Sequence, residues 1–286
     1  MREPLFTGTY YNRDPQLLKE QIAAHYLGQR GPGAAPRTTM ARNVKGVIAP
    51  NSPYHNCGDC MAWSYKAIAE TPLPDVYIII SANHTSQECG VSKAVFNTPL
   101  GIVRSDEALA DAVAKRGTLP VNEMIHARDH GIEVQLPFLL HAKYTEIEHI
   151  KILAVLIHET VDLKRAAADI RAGLEQLGRK AIIIASADLT HYGPVFHYVP
   201  FTTEIQARIY ELDDELLELM RRRDPDKYAE FVHKQFPNAE GLRAIELLMR
   251  LVERYTVRIM QHFSSGDVLA DYKNSVSYAS VVLEEL

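Results

Sequence analysis

Three short runs constrain the fold of this chain more than any other feature. Val76–Ser81 (VYIIIS), Ile150–Ile157 (IKILAVLI) and Ala181–Ser186 (AIIIAS) are almost continuously apolar and rich in β-branched residues. A strand with one face in water alternates apolar and polar residues; a strand without polar interruptions must be covered on both faces. Between the last two runs, Leu163–Leu177 has helical spacing with Ala168, Ile170 and Leu174 apolar. Buried strands joined by crossover helices predict an α/β fold, namely a single three-layer αβα domain over residues 1–286 with a mixed, largely parallel central sheet. A further strand is expected at Lys45–Pro50. Helices are expected at Pro15–Leu27, Asp59–Glu70, Asp106–Lys115, Thr203–Arg223, Pro225–Val232 and Gly241–Arg254. Thr256–Phe263 and Ser275–Leu283 read as closing strands.

Composition narrows the function classes. Lys and Arg number 31 against 36 Asp and Glu, a net charge of −5, so there is no basic field for nucleic acid or an anionic membrane. No apolar run is long enough to span a bilayer, and the start lacks the apolar core of a signal peptide. The three cysteines do not make a disulfide framework, and the expected location is the cytoplasm. There is no Gly-rich phosphate loop and no nucleophile elbow. The expected partner is a small molecule.

In open α/β sheets ligands bind beyond the carboxyl ends of the strands. The polar residues that follow the apolar runs there are Asn51, Tyr54, His55 and Asn56, then Ser81, Asn83 and His84, then Ser186, Asp188, Thr190 and His191. Histidine is the commonest metal ligand and the usual acid–base group near neutral pH. Asp188 and His191 are three apart, so one turn of chain can aim both at one point, although Asp188 or Ser186 could instead cap a helix. His126 and His130 are four apart, a spacing that can bind zinc on a helix, and His130 and Glu133 share a face. Against this, a polar helix start explains the segment equally well. The CGDC pair, Cys57 and Cys60, reads as small buried thiols packing a helix start rather than a redox motif.

Six segments in order, Arg2–Ile22, Val47–Ile68 (VIAPNSPYHNCGDCMAWSYKAI), Ile78–Ser86 (IIISANHTS), Arg128–Phe138 (RDHGIEVQLPF), Ser186–Gly193 (SADLTHYG) and Asn274–Ser280 (NSVSYAS), resemble the Memo family, called AmmeMemoRadiSam system protein B in prokaryotes. That family is similar to the class III extradiol dioxygenases of the LigB type. The resemblance implies a non-heme iron, dioxygenase-like or redox enzyme acting on a small molecule. It implies a metal site at His84, Glu240 and His191, catalytic groups at His191, His130 and Asp188, and substrate contacts at Asn51, Tyr54 and Glu133. Fe(II) is the metal this implies, with copper, zinc or no metal as alternatives. Two positions depart from the pattern: Asn51 stands where the family has histidine, and Glu240 falls near the family's cysteine. Asparagine is a poor transition-metal ligand, whereas glutamate is a good hard one. The alternative reading is therefore a non-catalytic metal-handling protein, or a metal-free pocket that binds a small molecule or peptide.

Overall fold

The computed structural model describes residues 1–37, 41–236 and 241–286. Ten strands form one sheet among these residues: β1 (Val44–Ala49), β2 (Val76–Ala82), β3 (Gly90–Ser92), β4 (Val95–Thr98), β5 (Gly101–Ser105), β6 (Lys151–Ile157), β7 (Ala181–Ser186), β8 (His191–Tyr192), β9 (Tyr255–Ser264) and β10 (Ser275–Glu285). The path β4-β5-β6-β2-β7-β1-β10-β8 crosses the sheet, with β3 paired to β6 and β9 to β10. Along that path every pairing from β5 to β1 is parallel, and the antiparallel pairings are β4 with β5, β3 with β6, and β10 with β1, β8 and β9. The three apolar runs of the sequence are β2, β6 and β7, side by side at the centre, and their residues are buried apart from Lys151 and the half-buried Ala181.

Alternate residues of each central strand feed two cores. Val76, Ile78 and Ile80 of β2 point to one face and Tyr77 and Ile79 to the other. The first face is covered by α3 (Glu107–Ala114), α6 (Leu163–Leu177), α7 (Ile205–Arg221), α8 (Pro225–Gln235) and α9 (Gly241–Leu251). The second is covered by α1 (Pro15–Leu27), α2 (Tyr54–Ala69) and α5 (Leu136–Ala142), with α4 (Glu123–His126) and α10 (Ser265–Leu269) as short surface turns. Each buried aliphatic side chain contributes roughly 1.5–3 kcal/mol, so a strand that feeds both faces is the most strongly held element of such a fold. No helix is long and apolar enough to cross a membrane among the described residues.

Helix α2 starts at Tyr54, five residues before the start read from the sequence. Gly58 hides this start, because glycine is a poor helix former. Its absence of a side chain is required, since a Cβ there would sit 2.4 Å from Nε2 of His25 on α1. The early start places Pro53 and Tyr54 directly after the loop that leaves β1, so Asn51 and Ser52 lie at the strand–helix junction.

Candidate functional site

A cavity of about 600 Å³ opens at the carboxyl ends of β1, β2 and β7. Asn51, His84, His130, Asp188 and His191 all line it. The antiparallel strand β10 brings its amino end to the same edge, and Val276 and Tyr278 complete that wall.

His84 follows β2 and is held by Asp129. One Asp129 oxygen accepts from the His84 backbone N–H at 2.8 Å and from ring Nδ1 at 2.9 Å. The other accepts from the Gly131 N–H at 2.8 Å. Gly131 lies so close to β2 that a Cβ there would be 1.9 Å from Ser81 Oγ, which pins the Asp129–His130 segment onto the strand end. With Nδ1 donating to the carboxylate, Nε2 is the ring nitrogen that bears the lone pair whenever His84 is uncharged. The His130 ring lies 4.3 Å from the His84 ring, centroid to centroid, and 4.9 Å from that of Tyr10. One ligating atom from each of His84, Asp129 and His130 lies within 4.8 Å of the other two.

Electrostatics set the protonation of this cluster. Burial, with the His84 ring beside it, lowers His130 to about 4 against the pull of Asp129. His130 is therefore a neutral imidazole near pH 7. Burial alone would raise Asp129, but the hydrogen bonds and charge of His84 and the nearby His130 outweigh it and hold the carboxyl below its ordinary value. Two neutral-capable imidazoles beside an ionised carboxylate make a donor set of the two-histidine, one-carboxylate kind.

Asp188 and His191 stand beyond β7. Asp188 accepts from the Asn51 N–H at 2.9 Å and from Ser52 Oγ at 2.6 Å, and burial raises its pKa against the lowering pull of His191 and these donors. His191 Nδ1 lies 3.1 Å from the Leu189 carbonyl, which can only accept, so Nδ1 is the donor and Nε2 bears the lone pair whenever the ring is uncharged. That Nε2 lies 4.0 Å from Asp188 Oδ2, too long for a hydrogen bond and short enough for a ligand hydroxyl or water to bridge. Thr190, between them, is tied from behind: its hydroxyl donates to the fully buried Asp213 of α7 at 2.7 Å, and Asp213 also pairs with His262 of β9 at 2.9 Å.

Several expected site residues lie elsewhere. Glu133 is fully buried and faces the amino-terminal segment, accepting from the Leu5 and Phe6 N–H groups and Tyr11 OH and pairing with Arg2 at 2.9 Å. Tyr54 is fully buried with its hydroxyl on the Val134 carbonyl at 2.6 Å. Neither lines the cavity, so both are structural, in correction of their expected substrate contacts. Asn51 lines the cavity, yet its side-chain amide donates to the Ser186 carbonyl at 3.2 Å. His55 is exposed and outside the lining. His126 is buried with Nε2 on the Gly90 carbonyl, so it does not join His130 in a helical zinc pair. Glu240 lies outside the described residues. The thiols of Cys57 and Cys60 are fully buried, and burial pushes both pKa values well up.

Residues 2–282 match the family model of Memo-like proteins. The chain belongs to the Memo family. A MEMO1 family protein of Methanopyrus kandleri is 30% identical over 98% of both chains. One of Methanothermobacter thermautotrophicus is 30% identical over 98% of this chain and 99% of its own. The fold is also similar to the crystal structure of an uncharacterized protein from Escherichia coli K12, with a TM-score of 0.52 at 13% identity over 84% of this chain and 99% of that one. In this Memo-family chain the residue that sequence reasoning missed is Asp129. Its signal was its place directly before His130, where a carboxylate can turn back onto the neighbouring strand end.

Proposed function

We propose that this protein is a metal-dependent, dioxygenase-like enzyme acting on a small molecule in the strand-end cavity. The observation that carries the reading is that the His84–Asp129–His130 cluster and the Asp188–His191 pair stand around one cavity. The donor set fits a first-row ion such as Fe(II), since imidazole suits these ions and an all-oxygen set would be needed for magnesium or calcium. His84 and His130 would hold the ion, with Asp129 orienting His84 or ligating directly. When bound, Fe(II) would supply redox chemistry and an O2-binding position beside the substrate. The chain's own part is to orient the ligand and move its proton. His191, fixed by the Leu189 carbonyl, presents Nε2 as the base, and Asp188 steadies the charge that develops there.

A second reading, a binding pocket without turnover, is favoured by Asn51, whose side chain is committed to Ser186 rather than offered as an imidazole would be. Metal uptake separates the two. After anaerobic loading with Fe(II), Cu or Zn and desalting, the parent should retain about one equivalent of a preferred ion, His84→Ala should retain almost none, and Asp188→Asn should retain it undiminished. Retention of none of the three ions by the parent would overturn the enzyme reading and leave the metal-free pocket.

A further inference from the structure

The cavity is chemically two-ended. His130 and Tyr10 sit with the core on the α1, α2 and α5 face of the sheet, where Tyr10 packs against that cluster. Leu189, Phe236 and Leu242 belong to the core on the opposite face, with Tyr198 packed against it. The cavity thus runs over the strand ends from a histidine end to an aromatic and aliphatic end. Tyr198 and Phe236 face one another there at 5.8 Å between ring centroids, and the Phe196 ring stands edge-on to His191 at 5.1 Å. Among the described residues no lysine or arginine lines the cavity and Asp188 is the one lining carboxylate. Pro237–Glu240, between Phe236 and Gly241, contains no basic residue either.

We propose that the ligand is an amphiphile whose polar head lies at the histidines and whose remote arm, in the Tyr198–Phe236–Leu242 end, is apolar and uncharged. The assignment of the head rests on the reading above; the character of the arm follows from the far wall alone. An acidic or phosphorylated arm would be desolvated among rings and aliphatic side chains with no cation to meet it, whereas a hydrocarbon arm gains by burial. This selects against phosphate esters and dicarboxylates as ligands and for small molecules with a short alkyl or aryl extension.

Three probes isolate the arm: phenol, 4-butylphenol and 4-(4-hydroxyphenyl)butanoate, titrated by calorimetry near pH 7.5 into metal-free and metal-loaded protein. The butyl arm should tighten binding at least tenfold over phenol in both forms, since each buried methylene is worth a factor of about three to four. The carboxylate-ended arm should bind no tighter than phenol. Tyr198→Arg, at a half-buried lining position of that end, should narrow the gap between the butyl and acid probes at least tenfold. Leu269→Arg, at a lining position that is 62% exposed, supplies the same charge should the first variant fail to fold. The proposal is overturned if the acid probe matches the butyl probe in the parent, if the arm brings no gain, or if no probe binds. Failure of metal retention with the arm effect intact counts against the enzyme reading alone.

Discussion

At the residue scale, Asp129 acts through His84. It takes both N–H groups of that residue, so it fixes the ring's tautomer and direction. Carboxylates that orient a ligating histidine typically matter by 10–100-fold in metal affinity. Asp129→Asn should therefore weaken ion binding about 10–100-fold while leaving thermal unfolding cooperative, read by metal competition with a chelator. His126 makes a pH prediction. Burial lowers its pKa from 6.5 to about 4, against the raising pull of the Gly90 carbonyl. Between those two values the unfolded chain binds more protons than the folded one, so stability is lost as pH falls through that window. The full loss is on the order of 3 kcal/mol for one such group. The urea midpoint should therefore drop between pH 7 and 4.5, and His126→Gln should drop less; equal drops would refute the assignment. Asp188, His84 and His191 were legible because each directly follows an apolar run. Glu133 was misread because its i,i+3 spacing from His130 says nothing about which face turns inward. Its partner Arg2 is 131 positions earlier in the sequence, beyond the reach of any local pattern.

At the scale of elements, the amino-terminal segment is a strap across the site. Arg2 donates to the His126 and Asp129 carbonyls at 2.6 Å each and pairs with Glu133, and Phe6 and Tyr10 pack on His130. Removing one partner of a buried ion pair leaves the other uncompensated, at a cost of about 3–5 kcal/mol. Glu133→Ala should lower stability by about that amount and make residues 2–11 the first site of limited proteolysis; an unchanged cleavage pattern would count against the strap. Asp213 of α7 does the same for the loop after β7 through Thr190. Helices α1 and α6 were readable because Asp14 and Asp162 cap them and Pro15 and Gly178 mark one start and one end. The strands β3, β4, β5 and β8 were not, being two to five residues long and held by pairing rather than by their own pattern. Helix α5 was obscured by Pro137, which is compatible with a helix only in its first turn, where it sits.

At the scale of the molecule, the sheet explains why the site is where it is. Five parallel strands point their carboxyl ends at one edge, and the polar residues that follow β1, β2 and β7 have nowhere else to converge. That much follows from the three apolar runs. The thiols of α2 lie beneath this edge, with Cys57 donating to the Ser52 carbonyl at 3.1 Å. They should resist a thiol reagent in the native protein and react only on unfolding, leaving Cys89 as the first to label. The central claim is that the two imidazoles of His84 and His130 hold a metal ion at the cavity. X-ray absorption on protein loaded with one equivalent of Fe(II) tests it most directly. The account predicts a first shell of nitrogen and oxygen near 2.0–2.2 Å, with the outer-shell scattering of two imidazoles, reduced to one in His130→Ala. A spectrum without imidazole scattering, or one dominated by sulfur, would contradict it.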